Sequence, residues 1–450
     1  MNELRRANPA RIVAAAFVAV ALLTLPFIQP AGAAVTIQEV KSDSGVTAWL
    51  VEDYSVPIIS MRFAFRGGST QDPPGKEGLI NLMTGLFDEG AGDFDSDAFQ
   101  NRLDDAGAEM RFNAGRDALY GSMRMLAEEK DKAFELLKLA ITSPRFDQAP
   151  IDRIRSQIIS GLESQSNDPR KLAQQAWLKA LYVDHPYSRL DEGTAESLGA
   201  VTADDLRAVH KRLFARDNLI VGVVGAIDAE TLKKELDELF GALPAKSERI
   251  PVPEVAPRLD QVVGIPYDLP QTSLQLAFPG MKRADPEYFA AYLMNQILGG
   301  GAFTSRLFRE VREKRGLAYS VGSGLVNYEH ATGLVISTAT RADRAAETLD
   351  VIRGVVREMA EKGVTAEELA EAKKYVIGAY AIANLGDSAS IANTLVGLQI
   401  DDLGRDYIER RVGVIDSITL DQVRAAARRL LSVEPAVMML GPAPDDGGKG

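Results

Sequence analysis

The sequence contains no cysteine. That absence removes disulfides, thiolate zinc sites, iron–sulfur clusters and cysteine nucleophiles together. Histidine is scarce as well: His185, His210 and His330 are the whole complement, and none share a metal-ligand spacing. Positive charge is in deficit. With 51 Lys+Arg against 63 Asp+Glu the net charge is −12, which disfavours phosphate backbones and anionic lipid as partners. No Gly-x-Ser-x-Gly elbow is present to carry a serine nucleophile. Apolar runs of membrane-spanning length are also missing. The run Ile12–Leu25 falls short of the roughly 20 residues a helix needs to cross a bilayer.

What is present reads as a globular chain, with 46% hydrophobic and 25% charged residues over 450 positions. Arg5, Arg6 and Arg11 precede the short apolar run, and Ala31-Gly32-Ala33 follows it. Basic start, apolar centre and small-x-small end form an export signal over 1–33. A mature protein from Ala34 without a membrane span is expected, periplasmic if the source is Gram-negative.

The chain also repeats itself. Thr202, Asp204, Arg207, Ala208, Arg212 and Leu213 recur as Thr419, Asp421, Arg424, Ala425, Arg429 and Leu430, a constant offset of 217. Gly161 and Gly378 keep that offset, and a Gly-terminated apolar strand follows each repeated helix, at Leu219–Gly225 and Ala436–Gly441. Each half opens on an alternating strand, Ile59–Arg66 and Ser273–Phe278. In the first, Met61, Phe63 and Phe65 share one face while Arg62 and Arg66 share the other. Each half therefore reads strand–strand–helix–helix–strand, then helices and a last strand. The expected class is α+β: two tandem homologous sandwich domains, each a mostly antiparallel sheet with helices on one face. The domains are expected at 34–243 and 261–441. A proline-rich linker over 244–260 joins them, and a disordered tail occupies 442–450.

The segment Gly78–Asp88 predicts a helix whose Leu79, Leu82, Met83 and Leu86 form a core stripe. Asn81, Thr84 and Gly85 share another face, at the spacing of two metal ligands one turn apart with an acid between them. Their side chains do not suit that chemistry, because zinc takes His, Cys or carboxylate ligands.

The surrounding residues, Arg66-Gly67-Gly68-Ser69 and Pro74-Gly75-Lys76-Glu77-Gly78-Leu79, resemble the start of an M16-family (pitrilysin/insulinase-like) zinc peptidase. Active members carry His-x-x-Glu-His on the next helix. The resemblance places the first His at Asn81, the Glu at Thr84 and the second His at Gly85. The family's third ligand, a Glu, falls near Gly161, with Glu163 the nearest carboxylate. All four positions are changed, so no metal or other cofactor is expected in this chain.

A second motif is kept. Leu298–Phe308 followed by Val311-Arg312-Glu313-Lys314-Arg315-Gly316-Leu317-Ala318-Tyr319-Ser320-Val321 resembles the M16 C-terminal segment that supplies an Arg/Tyr pair. The pair maps to Arg312 and Tyr319. A tyrosine hydroxyl donates to a carbonyl or oxyanion, and arginine supplies fixed charge and planar donors. The plain alternative puts Arg312 on a helix surface and Tyr319 in a strand core. The run Gly299, Gly300 and Gly301 is either a tight helix exit or, by the resemblance, a peptide contact beside the chamber.

Two-subunit members of the resembling family divide these sets between chains. The resemblance thus implies a non-catalytic subunit that closes a peptide chamber. Its partner would carry His-x-x-Glu-His and zinc, while Arg312 and Tyr319 reach a peptide substrate in trans. The alternative is a scaffold subunit with no part in hydrolysis.

Overall fold

The computed structural model describes residues 36–301 and 303–442, so the export signal expected over 1–33 and residues 443–450 of the expected tail lie outside it. The first lobe contributes β1 (Gln38–Lys41), β2 (Thr47–Glu52), β3 (Ile58–Arg66), β4 (Gly90–Ala91), β5 (Phe94–Asp95), β6 (Glu109–Ala114), β7 (Ala118–Leu126) and β8 (Leu219–Gly225). Six of these form a sheet in the order β1-β2-β8-β3-β7-β6, while β4 and β5 pair separately. The second lobe contributes β9 (Val262–Pro266), β10 (Gln271–Pro279), β11 (Ala318–Asn327), β12 (Thr332–Arg341) and β13 (Ala436–Gly441), in the order β11-β12-β10-β13-β9. Each sheet is antiparallel apart from one pair, β2–β8 in the first and β9–β13 in the second. The duplication read from the sequence is thus a duplication of sheet topology.

One strand per half escapes the sequence pattern. The expected single strand after the first helices is a hairpin in both lobes, β6–β7 and β11–β12. The outer strand of each hairpin is a sheet edge. β6 exposes Glu109, Arg111 and Asn113 on one face, and β11 carries Gly322 and Gly324. β6 does alternate, turning Met110, Phe112 and Ala114 to the core between those residues, but over only six positions; β11 lacks the alternation.

The central strand β3 behaves as its alternation requires. Ile59, Met61, Phe63 and Phe65 are buried in the core beneath the helices. The repeated Thr of each half proves to be a helix N-cap. Thr202 and Thr419 each accept a backbone N–H of the third helical residue, Asp205 and Gln422, whose side chains bond back. These capping boxes start Ala203–Leu213 and Leu420–Leu431, and each helix then buries an apolar stripe.

Beyond the helices packed on the core face of each sheet, one helix per lobe crosses to the other lobe's sheet. Helix Pro169–Tyr182 leaves its own lobe and lies on β13 and β9. Its Trp177, Leu181 and Tyr182 join Ala277, Ala436, Met438 and Leu440 in one cluster. Helix Ser388–Ile400 makes the reverse crossing, packing Val396 against Ala64 and Ala118. Gln399 Nε2 donates to the Val221 carbonyl at 2.9 Å. Gly222 permits this approach, because a Cβ there would stand 2.8 Å from Leu395 Cβ. Each outer sheet face is therefore covered in part by the other lobe's helix.

The stretch 244–260, expected as a linker, has no helix or strand, yet it is tied down. His185 Nε2 and Pro253 O are 2.9 Å apart, and Val255 N–H donates to His330 O. Beside it, the Tyr187 hydroxyl donates to Asp117 Oδ1 at 2.6 Å and accepts from His330 N–H at 3.0 Å. Glu329 N–H reaches the other Asp117 oxygen at 2.9 Å, so the seam between the lobes is a hydrogen-bonded network. Burial, then the Asp117 contact, raises the Tyr187 hydroxyl well above the usual tyrosine range.

Candidate functional site

The helix expected over 78–88 is shorter, Leu79–Thr84, because Gly85 closes it and i→i+3 bonds carry the chain on through Glu89. The apolar stripe holds: Leu79, Leu82, Met83 and Leu86 are all buried. Asp72, which the sequence pattern does not flag, caps the start. Its carboxylate accepts from Gly78 N–H at 2.8 Å and Ile80 N–H at 3.0 Å. Burial pushes its pKa up to about 7, against those two hydrogen bonds.

Two of the positions that the resemblance marks for zinc, Thr84 and Gly85, are taken up by packing. Thr84 is buried and its hydroxyl donates to the Asn81 carbonyl at 2.7 Å. Gly85 faces the helix Gln148–Ser164, where a Cβ at residue 85 would meet Ile154 Cγ2 at 2.9 Å. Gly161 lies on that same facing helix with open space where a side chain would project, and Glu163 is exposed. Asn81 is half-buried. An amide, a committed hydroxyl and two glycines are not a zinc donor set, so these residues do not fit the metal. Among the described residues no group of three or more His, Cys, Asp or Glu is placed to hold an ion.

The three histidines serve the fold. His185 Nδ1 accepts from Tyr187 N–H at 3.1 Å, opening the short turn Pro186–Ser188. His210 stacks on Phe214 at 4.4 Å, and its Nε2 sits 2.8 Å from the Ile141 carbonyl. Burial pushes its pKa down to about 4. His330 lies 3.7 Å from Glu254.

The second lobe brings Arg312 and Tyr319 together. Arg312 sits in the wide helical turn Phe308–Glu313, and Tyr319 near the start of β11. The guanidinium carbon lies 4.7 Å from the Tyr319 ring centre and 4.9 Å from that of Phe308, so the cation is held between two rings. Tyr319 lies in the strand as expected but not in its core, being 81% exposed. The reason is a bulge: the β11–β12 register shifts between Ala318 and Val321. Thr338 Oγ1 pins the bulge by donating to the Ser320 carbonyl at 2.7 Å. Glu310 is taken up by Lys314 and Arg315, leaving Arg312 with no ion pair among the described residues.

Phe303, 71% exposed and edge-on to Phe308 at 5.2 Å, extends this row of rings. Sequence reading passed over it because an isolated aromatic in a loop carries no periodic signal. Gly299 is buried against β11, where a Cβ would stand 2.6 Å from Ser323 Oγ. Gly300 is exposed, and Gly301 is buried beside Gln296. The run lets the helix end lie flush on the strand that carries Tyr319. Among the described residues no hydrogen bond, ion pair or ring contact joins Arg312 or Tyr319 to the helix Leu79–Thr84.

Comparison with known proteins fits this division. Residues 49–194 match the model described as insulinase (peptidase family M16), and residues 200–376 match the peptidase M16 inactive domain. The crystal structure of a peptidase M16 inactive domain from Pseudomonas fluorescens is 30% identical. It superposes with a TM-score of 0.83 over 91% of this chain and 98% of that one. A non-peptidase homolog, YmxG, of Helicobacter pylori is 26% identical over 380 residues, 83% of this chain and 87% of the relative. The periplasmic protease PqqL from Escherichia coli shares the fold, with 18% identity and a TM-score of 0.77. The match covers 91% of this chain but 46% of that one. With both halves matched in order and the fold shared over nearly its whole length, the chain belongs to peptidase family M16.

Proposed function

We propose that this chain is the non-catalytic subunit of an exported, two-chain M16 zinc peptidase, and that it presents Arg312 and Tyr319 to peptide held at the partner's metal. One observation carries the reading: a stacked Arg/Tyr pair whose tyrosine is exposed and whose arginine makes no ion pair among the described residues, in a chain whose Asn81, Thr84, Gly85 and Gly161 offer no zinc donors. The partner would carry His-x-x-Glu-His, and its zinc would supply an activated water. The neighbour PqqL, about twice as long as this chain, has the length of two such chains, which supports an assembly of that size.

In this reading Tyr319 O–H donates to the scissile carbonyl oxygen and more strongly to the oxyanion that forms from it. Arg312, pre-oriented by Phe308, supplies fixed charge and planar donors to the peptide backbone. Of Gly299, Gly300 and Gly301, the first and last pack against Ser323 and Gln296, and the exposed Gly300 is the one open to the peptide chain. The substrate extends as a strand on a sheet edge of the catalytic chain. The basic start, short apolar run and Ala31-Gly32-Ala33 support export, to the periplasm in a Gram-negative cell.

The description of the Helicobacter pylori relative as a non-peptidase homolog favours a second reading, a scaffold subunit outside the chemistry. The two part in a pull-down from native extract through a tag on this chain. Chelator-sensitive peptide cleavage in the captured complex, with a His-x-x-Glu-His homologue present and the purified chain inert, supports the first. An inactive complex supports the scaffold, and activity of the purified chain alone refutes both.

A further inference from the structure

Three arginines gather on the outer face of the first sheet, in a chain that is acidic overall. β3 supplies Ser60 and Arg62, β7 supplies Ser122 and Arg124, and β6 supplies Glu109 and Arg111. The strand register sets them in two adjoining rows, Arg62–Ser122–Arg111 and Ser60–Arg124–Glu109. Directly paired residues on one sheet face sit about 5 Å apart at Cβ, so the side chains converge. Helix Ser388–Ile400 roofs one side and leaves a cleft of about 170 Å³, against the roughly 10–15 Å³ that a single water needs.

The charges in this cleft are unbalanced. Glu109 stands across from Arg124, and Asp387 of the roofing helix's cap also feels Arg124. Neither forms an ion pair with Arg62 or Arg111, and among the described residues no other carboxylate does. Arg62 is half-buried. It rests 5.0 Å from the Tyr120 ring centre and donates to Asn113 Oδ1 at 3.4 Å, neither of which neutralises it.

The second sign is Ser60. The residue lines the cleft from the same face of β3 as Arg62, it is 4% exposed, and its Oγ is buried without a hydrogen-bond partner. A buried hydroxyl left without a partner costs free energy, and a ligand oxygen in the cleft satisfies it.

The duplication supplies an internal control. Arg62 pairs with Gly222 and Gln275 with Met438, each three residues before its strand's last glycine. The row matching Arg62–Ser122–Arg111 in the second sheet is thus Gln275–Ser337–Gly322. The architecture does not require cations at these places.

We propose that this cleft binds a ligand through a carboxylate or phosphate group, with Arg62 and Arg111 donating to its oxygens and the Ser60 hydroxyl completing the site. The site lies on a different lobe from Arg312 and Tyr319 and stands whether or not those residues act in catalysis.

Isothermal titration of the mature chain, at constant ionic strength, tests it with two probes. One is inorganic phosphate. The other is a capped Gly-Glu-Glu-Gly peptide, compared with its glutamine counterpart. Saturable one-to-one binding of either is expected, and which of them binds tells a phosphate-bearing ligand from an acidic peptide. Arg62→Gln and Arg111→Gln should each weaken binding about tenfold or more, as for loss of a charge-assisted bond. Arg111 is exposed on the edge strand, so its variant folds even if the Arg62 variant does not. Ser60→Ala should weaken binding several-fold yet leave the thermal midpoint of the ligand-free chain unchanged or higher. No saturable binding of either probe up to about 10 mM, or binding unchanged in both arginine variants, overturns the proposal.

Discussion

If each lobe's outer face is covered by the other lobe's helix, the lobes should unfold together, and Trp177 is the place to test this. The side chain is 5% exposed, and it packs with Ala436, Met438 and Leu440 of the opposite lobe. Trp177→Ala should cost about 3–5 kcal/mol, the usual loss for truncating a buried large aromatic. For some 400 ordered residues the unfolding entropy is about 0.85 kcal/mol per kelvin, so one cooperative transition should fall by about 4–6 °C. Differential scanning calorimetry measures this, and the remaining tryptophan, Trp49 on β2, reports on the first lobe by fluorescence. The mirror substitution, Leu395→Ala on the helix that crosses the other way, should lower the same transition by about 2–6 °C, from a cost of 2–5 kcal/mol. Two resolved transitions, with only one of them moved by Trp177→Ala, would refute the reciprocal coupling.

Other outcomes follow from single contacts. Gly85→His should destabilise the chain by about 1–3 kcal/mol, because its Cβ alone overlaps Ile154; Gly85→His with Ile154→Ala should recover part of that, measured by urea denaturation. His210 and Asp72 should give opposite pH responses. The folded pKa of His210 is lowered from 6.5 to about 4, so its contribution is full above pH 6.5 and is lost as pH falls toward 4. The folded pKa of Asp72 is raised from 3.8 to about 7, so its contribution is greatest below pH 3.8 and declines as pH rises toward 7. Midpoints of the parent minus those of His210→Phe, and minus those of Asp72→Asn, across pH 4–8 separate the two; differences that do not vary with pH would refute the assignments.

The duplication and its sheets were readable because they rest on signals local in sequence. A capping Thr starts each repeated helix, an alternating strand shows its face, and a terminal glycine ends β8 and β13. The reciprocal helices were not readable. Pro169–Tyr182 carries Trp177 and Leu181 on an amphipathic pattern that says only that one face is buried, not which lobe buries it. Edge strand β11 was missed because its glycines break the apolar alternation; β6 alternates Met110, Phe112 and Ala114 with polar residues and was legible, but is only six residues long. At the site, the identities of Asn81, Thr84 and Gly85 already spoke against zinc; only the fold adds that Ile154 fills the space beside Gly85. Arg312 and Tyr319 were marked by the family resemblance of the segment around them. Their stacking on Phe308, and the bulge that turns Tyr319 outward, depend on β12 and could not be read locally.

The central claim is that Arg312 and Tyr319 act on substrate at another chain's metal. The direct measurement is kcat for peptide cleavage by the complex of this chain with its His-x-x-Glu-His partner, comparing the parent with Tyr319→Phe. Tyr319 is exposed, so the substitution should leave assembly and folding intact. Loss of one oxyanion donor predicts a fall in kcat of roughly 10²-fold with the complex still formed. An unchanged kcat in an intact complex would contradict the account and leave this chain a scaffold.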